Sequence, residues 1–351
     1  MRIAIVILNW NGRNFLKKFL PSVLQYNSSD TRIIVADNNS HDDSVAMLRR
    51  EFPDVEIIQN ETNGGFAKGY NDALAHVEAE YYILLNSDIE VTEGWINPII
   101  ELMDNDPSIA ACQPLIKSYH SPEHFEYAGA AGGFIDEFGY PFCRGRLFQR
   151  IEKDLGQYND TREVFWATGA CLFVRADLFR KYGGFDEDFF AHMEEIDFCW
   201  RMKHLGYKIM VCPDSVVYHV GGGTLPKKSS FKTYLNMRNN ITMLYKNLPS
   251  ERLVFVFASR LVLDGIAAFK FLFDGGFDDF WAVVRAHMSF YRRFAKHKHK
   301  RGLIKHRDVS QVYIGNIVID HFLKGVKKFS EIDKKKFTTD GMVLPNHSRT
   351  V

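Results

Sequence analysis

The chain has 351 residues, of which 46% are hydrophobic and 14% aromatic, enough for one large domain or two smaller ones with a sizeable core. Its formal net charge is +1, but residues 252–351 carry 19 Lys and Arg against 9 Asp and Glu, so the front is acidic and the rear basic. Five scattered cysteines without a CxxC pair argue against a disulfide framework or a structural zinc site and favour a reducing compartment.

The first ninety residues alternate between short apolar runs and helical patterns. The runs predict strands at residues 2–8, 32–36, 55–59 and 81–85, and the patterns predict helices at residues 14–25, 41–52 and 67–76. This alternation predicts a parallel sheet with helices on both faces. Polar clusters or a glycine turn follow the strands, at the edge where open α/β sheets bind ligands. The opening run is too short for a signal peptide, so we expect a cytosolic catalytic part.

The middle of the chain is less regular. Apolar runs predict strands at residues 109–116, 207–211 and 216–220, and another within residues 165–174. Residues 176–182 and the segment from Glu194 to Gly206 have helical spacing, and each helix is stopped by glycine. Residues 120–147 are rich in glycine and aromatic residues, and we interpret them as loop and hairpin.

The rear of the chain changes character after a predicted helix at residues 230–250. Residues 253–273 are almost entirely apolar, and the charged residues Arg260, Asp264, Lys270 and Asp274 recur at helical spacing as a narrow stripe. Three charges within the span disfavour a transmembrane helix, so a membrane-surface helix or one half of a dipping hairpin fits better.

The segment 281–307 contains nine Lys or Arg, four His and no acid. Its aromatic residues Trp281, Phe290, Tyr291 and Phe294 suit the headgroup level of a membrane, where the cations would meet anionic lipid. A helical packing domain or a dimer interface is the alternative interpretation. The tail after residue 324 is basic, then polar, and is expected to be loosely ordered.

The central feature of the sequence is the run at 81–85, which leads directly into Asn86, Ser87 and Asp88. A buried strand that ends in a carboxylate delivers that group to the carboxyl edge of a sheet. A diphosphate leaving group needs a hard cation held by one or two carboxylates and the phosphates themselves. Asp88 is the best candidate ligand, and His219 is a possible second.

Two common nucleotide-binding patterns are missing from the sequence. The segment NWNGRN follows the first strand where a dehydrogenase would carry GxGxxG, and the P-loop pattern GxxxxGK[ST] is absent. The same segment lacks the glycine-rich basic loop expected of a sugar-nucleotide pyrophosphorylase. Asp37, at the end of the second strand, can still accept a hydrogen bond from a base or a ribose.

An acidic cluster offers a general base for an acceptor hydroxyl. Glu194, Glu195 and Asp197 lie within four residues, flanked by apolar side chains such as Phe198 and Trp200. Crowded carboxylates beside apolar walls raise one another's pKa, which suits base catalysis.

Seven motifs occur in order along residues 1–225: ILNWNG, ADNNSHDDS, NGGFAKGYN, LLNSDIE, TGACLFVR, GGFDEDFFAHMEEIDFCWR and VYHVGGGT. Together they resemble the family 2 glycosyltransferases of the GT-A fold, and especially the rhamnosyltransferase-like enzymes of bacterial polysaccharide assembly. The resemblance implies a Rossmann-like mixed, mainly parallel sheet with helices on both faces. It also implies an inverting transfer of a sugar from a nucleotide-diphosphate donor to a hydroxyl, with Mg²⁺ or Mn²⁺.

The resemblance assigns roles to individual positions. Asp88 becomes the metal ligand, and His219 lies by the diphosphate or the metal. Asp37 contacts the base, favouring uracil or thymine over guanine. The other implied nucleotide contacts are Asn9, Asn11, Gly65, Lys68, Asn86 and Ser87.

The implied base and acceptor site lie further along the chain. The family's base is usually the aspartate of a Glu-Asp pair, and Glu195 falls on that position here, with Glu194 and Asp197 left open as alternatives. The implied floor of the acceptor site is formed by Trp166, Thr168, Gly169 and Ala170.

We therefore expect a GT-A catalytic domain over residues 1–225, with a nucleotide-binding half (1–90) and an acceptor-binding half (91–225). A helical connector (226–251), a membrane-associating helical region (252–330) and a polar tail (331–351) are expected to follow.

The expected donor is a UDP- or dTDP-sugar, with dTDP-rhamnose among the candidates. The expected acceptor is a glycan or polyprenyl-diphosphate-linked glycan at the cytoplasmic face of the plasma membrane. Residues 252–307 would contact anionic lipid, and no nucleic acid is expected as a partner. The alternatives are a non-catalytic nucleotide-sugar-binding scaffold subunit and, for the rear helices, a homodimer.

Overall fold

Two sheets and a set of C-terminal helices build the protein. The structure, a computed structural model, describes residues 1–221, 229–339 and 342. Its strands are β1 (Ile3–Asn9), β2 (Thr31–Asp37), β3 (Glu56–Gln59), β4 (Tyr81–Asn86), β5 (Ile89–Val91), β6 (Ile109–Ser118), β7 (Gly133–Asp136), β8 (Pro141–Cys143), β9 (Arg146–Leu147), β10 (Arg150–Ile151), β11 (Arg162–Val164), β12 (Cys171–Arg175), β13 (Lys208–His219) and β14 (Val312–Tyr313). Its α-helices are α1 (Arg13–Gln25), α2 (Ser44–Glu51), α3 (Gly65–Leu74), α4 (Asn97–Asn105), α5 (Ala176–Lys181), α6 (Glu194–His204), α7 (Ser230–Asn247), α8 (Ser250–Phe273), α9 (Phe277–Arg292), α10 (Phe294–Gly302) and α11 (Ile317–Phe322).

The larger sheet confirms the predicted mixed architecture. Its strand order is β11-β13-β6-β12-β4-β1-β2-β3, with β5 added on β13. Strands β3, β2, β1 and β4 run parallel, β13 is parallel to β6, and β12 enters antiparallel between β4 and β6. The register sets Leu8 beside Asn86 and Asn9 beside Asp37, so the polar ends of β1, β2 and β4 share one edge.

Alternate side chains of the central strands enter two different cores. Along β1, Ile5 and Ile7 face one core while Ala4 and Val6 face the other. This two-residue period follows from the pleat of a strand covered on both faces. The apolar runs of the sequence are therefore explained by helices packed on each side of the sheet.

A second sheet was not expected. It has the order β10-β9-β8-β7-β14, so the segment 120–147 supplies most of a sheet. Strand β14 comes from far along the chain and pairs in parallel with β7.

The C-terminal tail up to residue 339 packs on this second sheet. Phe134 of β7 contacts Phe329 and Phe337 of the tail. The expectation of a loose tail after residue 324 is therefore wrong for these residues, because their aromatic side chains fill this second core.

Strand β13 corrects another expectation. The two strands predicted at 207–211 and 216–220 form one strand from Lys208 to His219. Its register against β6 shifts between Cys212 and Val216, as at a β-bulge, and this explains why Pro213, Asp214 and Ser215 interrupt the apolar pattern. The strand delivers His219 to the same edge as Asp88.

The C-terminal helices α7 to α10 pack on one another and on the catalytic part. The stripe expected on α8 is divided, since Arg260 and Asp264 are buried whereas Lys270 and Asp274 are exposed. The interpretation of a single stripe facing water or headgroups is therefore wrong. Beyond α10, Val312 and Tyr313 pair with β7 of the second sheet, and helix α11 follows them. The boundary expected at 225–226 lies outside the described residues, as does most of the segment 340–351.

Candidate active site

A cavity of about 380 Å³ opens at the carboxyl edge of β1 and β4. It brings together loops that are far apart in the chain. Its polar lining comes from Asn11, Asn38, Asn63, Asn86, Ser87, Asp88, Thr168, His192, Glu194, Glu195, His219 and Lys232. Aromatic walls come from Trp10, Phe15, Phe66, Phe190 and Phe231. A polar floor between aromatic walls is suited to a ligand with charged and ring-shaped parts.

Asp88 and His219 meet at one end of this cavity, as the sequence predicted. His219 Nε2 lies 3.1 Å from Asp88 Oδ1, and both side chains are buried. On its other side, His219 Nδ1 lies 3.3 Å from Glu126 Oε2. Burial alone lowers the pKa of His219, but its two carboxylate partners outweigh this effect and raise the pKa to about 10.

Glu126 was missed by sequence reasoning, because it lies in the irregular segment between β6 and β7 with no motif around it. It is buried, and the Ala128 amide donates to its carboxylate. His219 thus lies between two carboxylates, and both stabilise its protonated form.

The residues fit a divalent cation only in part. Within residues 1–221, 229–339 and 342, no three Asp, Glu, His or Cys side chains are grouped to hold a metal ion by themselves. Asp88 and His219 could supply two ligands if the cation displaces the proton from His219 Nε2, and donor phosphates and water would complete the shell. Mg²⁺ and its relatives are commonly bound in this way, with few protein ligands.

The acidic cluster divides into two parts. Glu194 and Glu195 begin helix α6 and line the cavity, and among the described residues neither Oε2 atom has a hydrogen-bond partner. Burial raises the pKa of Glu195 to about 7. Burial, together with the charge of Glu195, raises the pKa of Glu194 well above its usual range.

Asp197 lies away from the cavity. Its side chain is fully buried on the side of α6 that faces the core. There its carboxylate accepts hydrogen bonds from Lys246 at 2.9 Å, Asn247 at 2.9 Å and Arg201 at 3.0 Å. Three donors satisfy its charge, so it cannot take a proton from a ligand in the cavity. One turn of helix explains the difference: positions 194 and 195 face the cavity and position 197 faces the core.

The loop before α6 is held in an unusual backbone conformation. Phe190, His192 and Met193 all have positive φ angles, of 63°, 70° and 73°. Such angles are uncommon for residues other than glycine and persist only where the surroundings enforce them. They concentrate here directly before Glu194 and Glu195.

Helix α7 supplies the surroundings that enforce this loop. Asn239 Nδ2 lies 2.9, 2.8 and 2.7 Å from the carbonyl oxygens of Phe189, Ala191 and His192. The neighbouring Arg238 donates to the Phe189 carbonyl at 3.0 Å. Neither residue was predicted as part of the site, because both lie in a helix that was interpreted as a connector.

The side of the cavity where nucleotide contacts are predicted is organised by buried polar groups. Asn9 donates to Asp37 Oδ1 at 2.9 Å, and the Ser40 amide donates to the other oxygen of Asp37 at 3.0 Å. Asn9 and Asp37 are almost fully buried beneath the surface. They hold the loops after β1 and β2 together, and Asn11 and Asn38 on those loops line the cavity.

The remaining predicted positions are placed as follows. Gly65 begins α3 with a positive φ of 78°, and an added Cβ would collide with the Phe190 carbonyl. Lys68 points away from the cavity, where it pairs with Asp72 at 2.7 Å. Asn38 and Asn63 line the cavity although they were not predicted. Both belong to quoted motifs, ADNNSHDDS and NGGFAKGYN, and this membership could have identified them.

Three of the four residues predicted for the acceptor floor lie at the cavity. Thr168, Gly169 and Ala170 line the cavity. Trp166 lies behind it, buried, with its indole N–H donating to the Phe134 carbonyl at 2.9 Å. Trp166 thus joins the cavity floor to the second sheet and does not line the cavity.

Several known proteins are similar to this chain. The model of the family "Glycosyl transferase family 2" matches residues 4–183, just over half of the chain. An N-acetylglucosaminyl-diphospho-decaprenol L-rhamnosyltransferase of Mycobacterium tuberculosis is 24% identical over 235 residues, covering 62% of this chain and 75% of that protein. The rhamnosyltransferase WbbL of Escherichia coli K12 is 26% identical over 220 residues, covering 60% and 80%.

Solved structures share the fold. GalNAc-T7, solved with UDP, GalNAc and Mn²⁺, superposes with a TM-score of 0.55 at 16% identity, covering 71% of this chain and 48% of that one. This chain therefore spans about half of the length of GalNAc-T7. The mannosyltransferase PcManGT of Pyrobaculum calidifontis, solved with GDP-Man and Mn²⁺, superposes with a TM-score of 0.50 at 15% identity, covering 84% and 75%. The chain belongs to glycosyl transferase family 2 and is a glycosyltransferase of the GT-A fold.

Proposed function

We propose that this protein transfers a sugar, with inversion, from a nucleotide-diphosphate donor to a hydroxyl of a glycan or lipid-linked glycan. The observation that carries the proposal is one cavity lined by both Asp88 and Glu195, whose Oε2 has no hydrogen-bond partner among the described residues. The first is suited to the leaving group and the second to the acceptor. A non-catalytic scaffold would not need a buried carboxylate oxygen without a partner, which costs stability.

Glu195 acts as the general base. Its free Oε2 takes the proton of the acceptor hydroxyl, whose oxygen forms a bond to the anomeric carbon of the donor. The bond from that carbon to the diphosphate breaks on the opposite face, and its electron pair leaves with the diphosphate. Helix α6 and the loop held by Asn239 keep Glu195 in place for this displacement.

Asp88 and His219 would hold a divalent cation, Mn²⁺ or Mg²⁺, with Glu126 orienting the histidine. Such a cation supplies positive charge that stabilises the departing diphosphate. The solved relatives that contain Mn²⁺ beside a nucleotide or nucleotide sugar support this assignment. Asn11, Asn38 and Gly65 are positioned to contact the nucleotide, with Asn9 and Asp37 supporting them from beneath.

We infer the donor and the acceptor from the activities of two relatives and from the chemistry of the site. We propose a UDP- or dTDP-sugar, with dTDP-rhamnose foremost, because two relatives are rhamnosyltransferases. We propose a polyprenyl-diphosphate-linked glycan as acceptor, because one relative acts on a decaprenol-linked sugar. The reaction would belong to cell-surface polysaccharide assembly on the cytoplasmic face of the plasma membrane.

Calorimetry against UDP-, dTDP- and GDP-sugars, with and without Mn²⁺, tests donor and metal together. We expect one donor class to bind, with an affinity that depends on Mn²⁺ and is lost in Asp88→Ala. Equal affinity with and without Mn²⁺ would contradict the metal assignment.

Turnover tests the catalytic part of the proposal. With the bound donor and an acceptor, the protein should release nucleotide diphosphate and form a product whose anomeric configuration, read by NMR, is opposite to that of the donor. A product of retained configuration would contradict the single displacement. If the protein binds the donor but releases no nucleotide diphosphate with any acceptor tested, the non-catalytic scaffold is favoured.

A further inference from the structure

Helix α8 is built with its charges inside and its apolar side chains outside. Its buried residues recur at every fourth position, from Arg252 through Val256, Arg260 and Asp264 to Ala268. Its large exposed side chains are Val254, Phe255, Leu261, Val262, Ile266, Phe269 and Phe273. A helix on a water-facing surface has the reverse arrangement.

The buried charges of α8 are used to attach the helix to its neighbours. Arg260 pairs with Asp264 at 3.0 Å and donates to the Phe138 carbonyl at 3.1 Å. Asp264 also accepts from Tyr140 at 3.3 Å and lies 3.2 Å from His287 Nε2 on α9. These buried hydrogen bonds and ion pairs fix the polar side of α8 against the protein. Its apolar side must therefore face outward.

Helix α9 continues this apolar face and adds cations at its border. Phe277, Trp281, Met288 and Tyr291 are exposed, and at 3.6 residues per turn they fall on one side of the helix. Arg285 and Arg292 are exposed and lie along one edge of that side. We call these exposed apolar residues of α8 and α9 the outer hairpin face.

The outer hairpin face lies beside the mouth of the catalytic cavity. Thr233 Oγ1, in the first turn of α7, donates to Asp279 Oδ1, in the first turn of α9, at 2.7 Å. Phe231 and Lys232, the residues just before Thr233, line the cavity. The turn between α8 and α9, flanked by Phe273 and Phe277, is therefore next to the cavity rim.

We propose that the outer hairpin face docks on an anionic lipid bilayer and so presents the cavity to a lipid-linked acceptor. This inference rests on the proposed function and assigns its membrane partner to particular residues. The apolar side chains would enter the boundary between headgroups and acyl chains, and Arg285 and Arg292 would meet lipid phosphates. No α-helix in the described part of the chain has the length and apolarity needed to cross a membrane, which agrees with a helix lying in the interface.

A second copy of the chain is a poorer occupant of this face. Two copies would bring the arginine borders of α9 into the same interface, where like charges repel, whereas lipid phosphates complement them. The basic segment as a whole is not the docking element, because Lys300 pairs with Asp186 and Asp188, and Arg301 donates to the carbonyl of Tyr245.

Flotation of the purified full chain with vesicles tests the apolar part of the proposal. Wild type should bind vesicles of phosphatidylcholine mixed with phosphatidylglycerol. The triple variant Val262→Ser, Ile266→Ser, Phe273→Ser should bind at least about tenfold more weakly, because it removes buried apolar area from the contact. Leu155→Ser with Leu323→Ser is the matched control, since these residues are as exposed but lie elsewhere, and it should bind as wild type does.

The charged border has its own test. Arg285→Gln with Arg292→Gln should lose affinity for the phosphatidylglycerol vesicles by about fivefold for each cation removed, with little change on pure phosphatidylcholine. Lys153→Gln with Lys181→Gln, both exposed cations of the catalytic part, is the control.

Two results would overturn the proposal. One is vesicle binding by the triple variant equal to that of wild type. The other is a wild-type dimer that ignores vesicles and becomes monomeric in the triple variant, as seen by light scattering. Turnover with a water-soluble acceptor separates this proposal from the proposed function: if wild type binds vesicles through this face yet turns over no donor, docking stands and the proposed reaction falls.

Discussion

Buried charge is handled in opposite ways at the start of α6 and in the middle of α8. Glu194 is buried and Glu195 is partly buried, and each has one carboxylate oxygen with no hydrogen-bond partner among the described residues. Arg260 and Asp264 are also buried, but each has several partners. Burial without a partner raises the pKa of the glutamates, whereas pairing lowers the pKa of Asp264 despite its burial.

The difference separates a reactive site from a structural one. A carboxylate oxygen with no hydrogen-bond donor beside it is suited to accept a proton. The free-energy cost of burying it is offset by contacts in the rest of the fold. A carboxylate that is fully paired instead fixes how two helices pack, as α8 is fixed on α7 and α9. Removing a charge should therefore harm activity at α6 and folding at α8.

The largest expected effect is on turnover in Glu195→Gln. Activity should fall by about a hundredfold to ten-thousandfold, because the amide cannot take the acceptor proton. Donor affinity and melting temperature should stay at or above the wild-type values, since an unpartnered carboxylate is replaced by a neutral group. Nucleotide-diphosphate release, calorimetry and a thermal melt measure the three quantities. Unchanged turnover would remove Glu195 from the role of base.

Arg260→Ala should show the opposite behaviour. The free energy of unfolding should fall by about 3 kcal/mol or more, because the buried Asp264 loses its main partner. Lys270→Ala is the matched control, since its pair with Asp274 has the same i,i+4 spacing but is exposed, and its cost should be below about 1 kcal/mol. Denaturant unfolding measures both. If both variants lost the same unfolding free energy, the buried pair would be no more important for folding than the exposed pair, and the expectation would be wrong.

Asn239→Ala tests whether α7 positions the catalytic loop. Turnover should fall by about tenfold to a hundredfold while donor affinity stays within about twofold, because the loop that carries Glu195 loses its anchor but the nucleotide side does not. Asn236→Ala is the control, because among the described residues this side chain donates to the Lys232 carbonyl within α7, and the variant should behave as wild type. A parallel loss of donor affinity and turnover would point to general unfolding of the site.

The smallest effect sought is the shape of the pH profile. The base acts in its deprotonated form and burial raises the pKa of Glu195 to about 7, so kcat/KM should rise with pH up to about 7 and level off above it. Below that point the slope should approach about tenfold per pH unit. Donor binding measured over the same range is the control and should not follow this curve. A half-maximal pH near the ordinary glutamate value of about 4.3 would show that the carboxylate is hydrated in solution.

Much of the catalytic site was predictable because it follows strand ends. Asn86, Ser87 and Asp88 come directly after a buried strand, and a parallel register places them beside the ends of β1 and β2 whatever the details of packing. His219 was predictable for the same reason, although the strand that carries it was interpreted as two. Glu126, which lies beside His219, could not be predicted in this way, because it lies in a segment without periodicity.

The sequence by itself determined the alternation of strands and helices, the polar sheet edge and the presence of acids near an acceptor site. Only the tertiary structure decided which of those acids is free. Glu195 and Asp197 are chemically similar and two positions apart, but the turn of α6 directs one to the cavity and the other to Lys246.

The tertiary structure likewise decided the direction of α8. A helical pattern defines two faces but not which of them is inside, since this depends on the partners available. Tyr140, Asn240 and His287 provide polar partners on the inner side, so the charges of α8 turn inward and its apolar residues are left facing outward.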